Sequence, residues 1–441
     1  MKTNNNTPAA VQIAVIGLGT VGGGAITVLC QNSDVIAARA LPIRVKRVVD
    51  LDAQRAAGLC EKLNLPQSII SSRWQDAVED PEIDVIVEVI GGVTVARDLI
   101  SAALKAGKSV VTANKDLMAA HGGELLQMAA DHHVDLFFEA SVAGGIPVIQ
   151  AVKESLAGNR FSQIMGILNG TTNYILTMMC EKGADFAQAL SEAQALGFAE
   201  ADPTNDVEGY DAARKIAILA SIAYNSRVSD SMVATEGISQ ISKWDIAYAD
   251  EFGYVIKSIG LARFDGEMID VRVHPAMIKK GHPLASVRDS YNAVFVTGDA
   301  VENAMFYGRG AGSLPTGSAI AGDVIAAARN IAHGSRNRWG CTCYQQLPIR
   351  PLADVVSKYY VRIQVYDRVG VFAAMAKVLG DCQVSMDSVM QKRRIDAEQT
   401  EIVVITHKVR HENLVKALNA LTDLDCVVKV NNYIRVEDED I

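Results

Sequence analysis

The sequence lacks most of what would tie a protein to a membrane, a nucleic acid or a structural metal. No stretch approaches the ~20 uninterrupted apolar residues of a membrane-spanning helix. The N-terminal segment MKTNNNTPAAVQ is polar and has no apolar signal-peptide core, so a cytoplasmic protein is expected. Acidic residues outnumber basic ones by 51 to 42, leaving a formal charge of -9 and no evident basic face. No nucleic-acid partner is expected on that ground. Cysteine is scarce, with 7 residues at positions 30, 60, 180, 341, 343, 382 and 426. Only Cys341 and Cys343 lie close together, and no second pair at zinc spacing accompanies them. Reduced thiols are therefore expected.

What remains is globular: 49% hydrophobic and 21% charged residues. A chain of 441 residues implies two or three domains. Residues 11–16, VQIAVI, read as a buried strand running into GLGTVGGG and an apolar helix to about Leu29. Further strands are expected at 43–49, 85–91, 109–115 and 134–141, alternating with helices at about 52–63, 94–106 and on to about His132. That alternation predicts an α/β fold with a Rossmann-type parallel sheet over residues 1–145.

The pattern then changes. Helices are expected at 146–157, 171–182, 186–196 and 211–224, and strands at 161–168, 254–264, 270–278 and 292–297. This mixture predicts a central α+β domain over 146–335. A Gly-rich segment, 307–323, leads into an apolar helix ending near His333, and 336–356 reads as a linker. Residues 357–441 follow a βαββαβ order, the ferredoxin-like plan.

Gly17-Leu-Gly19-Thr20-Val21-Gly22 follows a strand and opens a helix, the setting a dinucleotide-binding GxGxxG requires. Gly17 permits the tight turn, Gly19 lets backbone approach a pyrophosphate, and Gly22 lets helix and strand pack. Asp50 ends the second strand, where a carboxylate would bind the 2′-hydroxyl of NAD. Arg55, close by, would meet a 2′-phosphate of NADP instead. NAD is expected, with some use of NADP.

Two lysines suit proton exchange with an alcohol during hydride transfer. Lys115 follows the fourth strand, on the ligand-binding edge of an open α/β sheet. Lys215 follows an acidic stretch, FAEADPTNDVEGYDAARK, and is flanked by apolar residues that draw it inward. Asp211 stands one helical turn before it, a spacing equally suited to a surface bridge. Glu200, Asp206 and Asp211 would bind the ammonium of an amino-acid substrate; the bland reading is a solvated acidic loop. Asn169-Gly-Thr171-Thr-Asn173 opens a helix and would offer donors to a carboxylate, unless Thr171 or Thr172 merely caps that helix.

Together GLGTVG, EVIGG, TANK, EASVAGGIP, ILNGTTNYIL, GFAEADPTNDVEGYDAARK and GRGAGSLPTGSA give a chain that resembles the single-function homoserine dehydrogenases with a C-terminal ACT domain. The resemblance spans almost the whole chain. It implies NAD(P)-dependent interconversion of L-homoserine and L-aspartate 4-semialdehyde, in threonine, methionine and isoleucine biosynthesis. It casts Lys215 as proton donor or acceptor and Lys115 as a second essential lysine. Glu200 and Asp211 become homoserine ligands, with Asp206 nearby, and Gly197 and Gly312 backbone contacts to the cofactor. It implies a sodium or similar cation on backbone oxygens of Glu139, Val142, Gly144 and Ile146, a homo-oligomer (dimer or tetramer) formed through the central sheet, and feedback by an amino acid, threonine favoured, near Asp367–Gly370. Two alternatives stand beside this: a non-catalytic amino-acid and dinucleotide sensor, or another amino-acid-linked NAD(P) oxidoreductase.

Overall fold

The computed structural model describes residues 10–338 and 340–437. Six strands form a parallel sheet: β1 (Val11–Ile16), β2 (Ile43–Val49), β3 (Ile70–Ser71), β4 (Val85–Glu88), β5 (Ser109–Thr112) and β6 (Leu136–Phe137). Their spatial order is β3-β2-β1-β4-β5-β6. Every residue of β4 and β5 is buried, because helices cover both faces. Strand order reverses between β1 and β4, so their carboxyl ends open a crevice, the usual ligand position in such sheets. The expected strand over 134–141 is cut short: only Leu136–Phe137 pairs, and Glu139–Ser141 turns as a 3-10 helix.

A helix from far along the chain, Ser313–Ala332, lies on this sheet against β4, β5 and the Thr20–Gln31 helix. The two helices cross through glycine. A Cβ at Gly24 would overlap the Ser313 carbonyl oxygen, and one at Gly317 would stand 2.5 Å from the Gly24 carbonyl carbon.

The second sheet holds eleven strands. Its first part is β7 (Phe161–Ile167), β8 (Ala234–Thr235), β9 (Tyr254–Phe264), β10 (Ile269–Lys279), β11 (Tyr291–Gly298) and β12 (Glu302–Arg309). The C-terminal part is β13 (Val356–Tyr366), β14 (Met386–Arg394), β15 (Gln399–Thr406), β16 (Val409–Arg410) and β17 (Val427–Glu437). The main path runs β12-β11-β7-β9-β10-β17-β13-β15-β14, with β8 on β10 and β16 on β13. The βαββαβ unit is thus present, and it extends the central sheet: Ala276–Ile278 of β10 pair in parallel with Arg435–Glu437 of β17.

Three local differences from the sequence reading have physical causes. β12 is not among the expected strands and runs into the start of the Gly-rich segment; it is an edge strand with alternate exposed residues, Met305 and Tyr307 among them. The expected helix over 146–157 is a short turn, Val148–Gln150, continued by a π-helical turn, Ala151–Ser155. Pro147 sets its start, and the Glu139 carboxylate caps it by accepting the N–H groups of Ile149 (2.8 Å) and Gln150 (2.7 Å). The linker is docked rather than loose, with bridges from Gln345 to Ser226 and from Ile349 to Ile269.

Candidate functional site

A cleft of about 710 Å³ separates the parallel sheet from the central one. Lys115, Thr171, Gly197, Glu200, Asp206, Asp211, Lys215 and Gly312 all line it, with Val21 and Gly144. A smaller hollow of about 370 Å³ shares Lys115, Glu200, Asp206 and Asp211 with it.

Three elements meet there. β7 ends at Ile167, so Leu168 and Asn169 arrive beside the Tyr210–Ala223 helix. Lys115 is the first residue of the Lys115–Asp131 helix, which Asn114 caps by accepting the Leu117 N–H at 3.0 Å. The Lys215 ammonium donates to Asp211 Oδ2 at 2.6 Å and to the Leu168 carbonyl at 2.8 Å. Lys115 Nζ stands 3.4 Å from Asp211 Oδ1. Asp211 is therefore the hinge of a two-lysine cluster, and only 11–12% of its side chain and that of Lys215 is exposed. Burial works against its charge, but the two ammonium groups prevail and pull the carboxyl down to about 2.

Asn169 organises the acids. Its Nδ2 donates to Asp206 Oδ1 at 2.7 Å and to Asp211 Oδ2 at 2.9 Å, while its Oδ1 accepts the Thr172 N–H at 2.9 Å. The cap of the Gly170–Lys182 helix is thus Asn169, neither Thr171 nor Thr172. Thr171 instead donates its hydroxyl to the Phe198 carbonyl at 2.6 Å, tying this helix to the 197–200 segment. Burial raises the Asp206 carboxyl. Glu200 is exposed at the mouth.

At the sheet crevice, Gly17 has φ +95, and a Cβ there would stand 2.7 Å from the Val89 carbonyl oxygen. A Cβ at Gly22 would overlap the Gly17 carbonyl, whereas Gly19 faces open space. The Thr20–Gln31 helix starts here with no side-chain cap, leaving N–H groups free for an anion. Asp50 is already engaged. Its Oδ2 accepts the Leu18 N–H at 2.6 Å, and its Oδ1 accepts from the Asp52 N–H at 2.8 Å and Arg55 Nη2 at 2.9 Å. These bonds outweigh burial and lower its carboxyl. The two residues expected to choose between cofactors are thus joined to one another.

Glu139, Val142 and Ile146 stand behind the cleft wall, all buried. Ala143 and Gly144 are both left-handed, at φ 56 and 53, which turns the backbone sharply. Glu139 N–H donates to buried Asp323 at 2.8 Å, and burial raises both carboxyls, with the Glu139 charge adding at Asp323.

Sequence reasoning left several lining residues out. Ser290 just precedes β11, Asn292 lies in β11 and Arg309 ends β12, while Pro315 and Thr316 come from the helix after the Gly-rich turn. The Gly-rich motif flagged the last two; Asn292, inside a strand, carried no local signal.

Three family models match: "Homoserine dehydrogenase, NAD binding domain" over residues 17–139, "Homoserine dehydrogenase" over 147–325, and "ACT domain" over 359–426. The homoserine dehydrogenase of Bacillus subtilis is 39% identical over 430 residues, 97% of this chain and 98% of that one. The crystal structure of a homoserine dehydrogenase from Thiobacillus denitrificans superposes with a TM-score of 0.91 at 42% identity, covering 98% and 99% of the two chains. A hyperthermophilic archaeal homoserine dehydrogenase, solved in complex with NADPH, gives 0.60 at 25% identity over 72% of this chain and 98% of its own.

Proposed function

The chain belongs to the homoserine dehydrogenase family of NAD(P)-dependent oxidoreductases, and from that premise we propose how its cleft works. Lys215 exchanges the hydroxyl proton of L-homoserine as the alcohol becomes aldehyde. Asp206, Asp211 and Glu200 hold the ammonium group, and the backbone N–H groups of Gly170 and Thr171, at the start of the Gly170–Lys182 helix, receive the carboxylate. The bound nicotinamide supplies the hydride acceptor or donor at C4. Gly17, Gly19, Thr20, Val21 and Gly22 would cradle its pyrophosphate, and Gly197 and Gly312 would offer the cofactor backbone contacts. Asp50 and Arg55 hold the adenosine ribose, with NAD preferred and NADP accepted.

The carrying observation is the Lys215–Asp211–Lys115 cluster. Two cations on one carboxylate leave Lys215 anchored at both Asp211 and the Leu168 carbonyl, aimed at one point. Lys115 keeps Asp211 ionised and adds positive potential where an alkoxide develops. The test follows absorbance at 340 nm with L-homoserine and NAD or NADP in parallel, with and without threonine. Lys215→Ala should lose turnover by at least ~10²-fold yet bind the dinucleotide as tightly as the parent. An active Lys215→Ala enzyme would sink the assignment.

We extend the proposal to a sodium-type cation on backbone oxygens of Glu139, Val142, Gly144 and Ile146. The buried pair Glu139 and Asp323 beside a doubly left-handed turn supports it, since a hard cation offsets such charge. Replacing sodium by tetramethylammonium at equal ionic strength should lower the unfolding temperature; an unchanged midpoint removes the cation. For the regulatory unit, the hollow of about 320 Å³ lined by Tyr366, Asp367, Arg368, Ala397 and Glu398 supports an amino-acid effector, threonine first. The exposed edge strand β12 supports assembly through the central sheet.

A further inference from the structure

Outside the cleft, a small hollow of about 40 Å³ gathers Cys341 and Cys343 with Lys153, Arg227 and Ser221. Its walls come from the two helices that carry the catalytic lysines: Met118 from Lys115–Asp131, and Ser221 from Tyr210–Ala223. Cys343 Sγ donates to the Ser221 carbonyl at 3.6 Å. The Lys153 ammonium lies over the Phe138 ring, 5.7 Å from its centre. Arg227 occupies the space a side chain at position 123 would need, since a Cβ on Gly123 would overlap its guanidinium.

The two sulfurs are unlike. The Cys343 hydrogen, shared between the Ser221 carbonyl and the Cys341 sulfur, pulls the Cys341 thiol down to about 5, assisted against burial by the Cys343 backbone and the charges of Arg227 and Lys153. The same sharing, with burial, pushes Cys343 far up. Cys341 is exposed and Cys343 half-buried. Cys30 and Cys60, by contrast, are raised by burial. Among the described residues no group of three or more His, Cys, Asp or Glu side chains could hold a metal ion. An exposed sulfur with a partner thiol beside it and two cations nearby has the composition that favours a reactive thiolate.

We propose that Cys341 and Cys343 are a peroxide-responsive dithiol that reports to the catalytic helices. Cys341 sulfur attacks a hydroperoxide and breaks its O–O bond; it becomes a sulfenic acid, and the alcohol or water leaves after taking the thiol proton. Cys343 sulfur then displaces hydroxide from Cys341, its own proton going to that hydroxide as water. The sum is two thiols and one hydroperoxide giving one disulfide, one alcohol or water, and one further water. Closing the disulfide removes the hydrogen that Cys343 shares with Ser221, at the last turn of the helix bearing Asp211 and Lys215. Turnover falls as a result.

The test uses the full-length protein and hydrogen peroxide, then blocks remaining thiols with iodoacetamide and maps the peptides by mass. The 341–343 peptide should appear unalkylated and two hydrogens lighter, forming about tenfold or more faster than Cys30 or Cys60 is oxidised. Cys343→Ser should trap the sulfenic acid at Cys341, captured by dimedone, and Cys341→Ser should abolish both products. Thiol reductant should restore parent activity, and Cys341→Ser should resist peroxide. Cys341 and Cys343 surviving as thiols while other cysteines oxidise overturns the site; a disulfide with unchanged turnover overturns its link to the helix. The mass readout does not depend on the substrate reading, so the two fail separately.

Discussion

Asp206 and Asp211 share the same amide, Asn169, yet their carboxyls move in opposite directions. Asp211 has two lysines and falls to about 2; burial dominates at Asp206 and raises it. The signs differ accordingly. Stability from Asp211 is present above the unfolded carboxyl value of about 4 and is lost as pH falls through about 2. Asp206 binds its proton more tightly when folded, so its contribution is largest in acid and declines as pH rises through its raised folded value. The fold thus disfavours its charged form, which suits the proposed role of holding an ammonium ligand. Asp206→Asn keeps the acceptor for Asn169 but removes that charge. It should raise the unfolding temperature at pH 7, with the gain vanishing near pH 3, and raise the KM for homoserine about tenfold or more, the worth of a charged hydrogen bond. A KM unchanged in steady-state assays would remove Asp206 from the ammonium site. The sequence showed the acids and the one-turn spacing of Asp211 and Lys215. It could not show that Leu168 and Asn169 return beside them, because that depends on where β7 ends.

At the scale of elements, glycine separates what was readable from what was not. Gly17, Gly19 and Gly22 carry roles that follow from a local motif. Gly24 does not: its partner is the Ser313–Ala332 helix, nearly three hundred positions away. Ordinarily Gly→Ala in a helix gains about 1 kcal/mol. At Gly24 the new methyl meets the Ser313 carbonyl backbone, which cannot rotate away. Gly24→Ala should therefore destabilise by ~1–3 kcal/mol, the usual range for overpacking, and weaken dinucleotide binding by displacing the helix proposed to meet the pyrophosphate. Gly58, in the Ala53–Lys62 helix, has nothing within 4 Å of an added Cβ. Gly58→Ala should stabilise, and thermal unfolding of the pair reads both signs. β12 and the 146–157 segment are a further case: an edge strand shows a weak pattern, and the helical period over 146–157 does not show that the turn is cut to 148–155 and capped by the Glu139 carboxylate.

Over the whole molecule, the question is whether the C-terminal unit folds apart from the rest. Its βαββαβ order was legible, since each element carries its own period. Its junction was not, because the last three residues of β17 look like any strand end. In the fold those residues pair with β10, and Glu437 reaches Arg263 at 2.8 Å and Arg272 at 2.9 Å. Arg272 is almost fully buried and also donates to His274 Nε2 at 3.0 Å. That acceptor must be neutral; burial first, then the charges of Arg435 and Arg272, hold His274 down to about 3. Burial opposes the Glu437 charge, but the two guanidinium groups lower its carboxyl to about 2. Its stabilisation is present above the unfolded value of about 4 and fades as pH falls through about 2. Removing the carboxylate leaves buried Arg272 with Asp270 as its remaining carboxylate partner and takes a partner from Arg263, so Glu437→Ala should cost ~1.5–3 kcal/mol, as for a lost charged hydrogen bond. The loss falls on the seam between catalytic and regulatory units. Calorimetry of the full chain should show one transition in the parent and two in Glu437→Ala, with the sensitivity to an amino-acid effector lost before catalytic activity. A single transition shifted as a whole would mean that other contacts across the β10–β17 seam suffice to keep the two units one cooperative body.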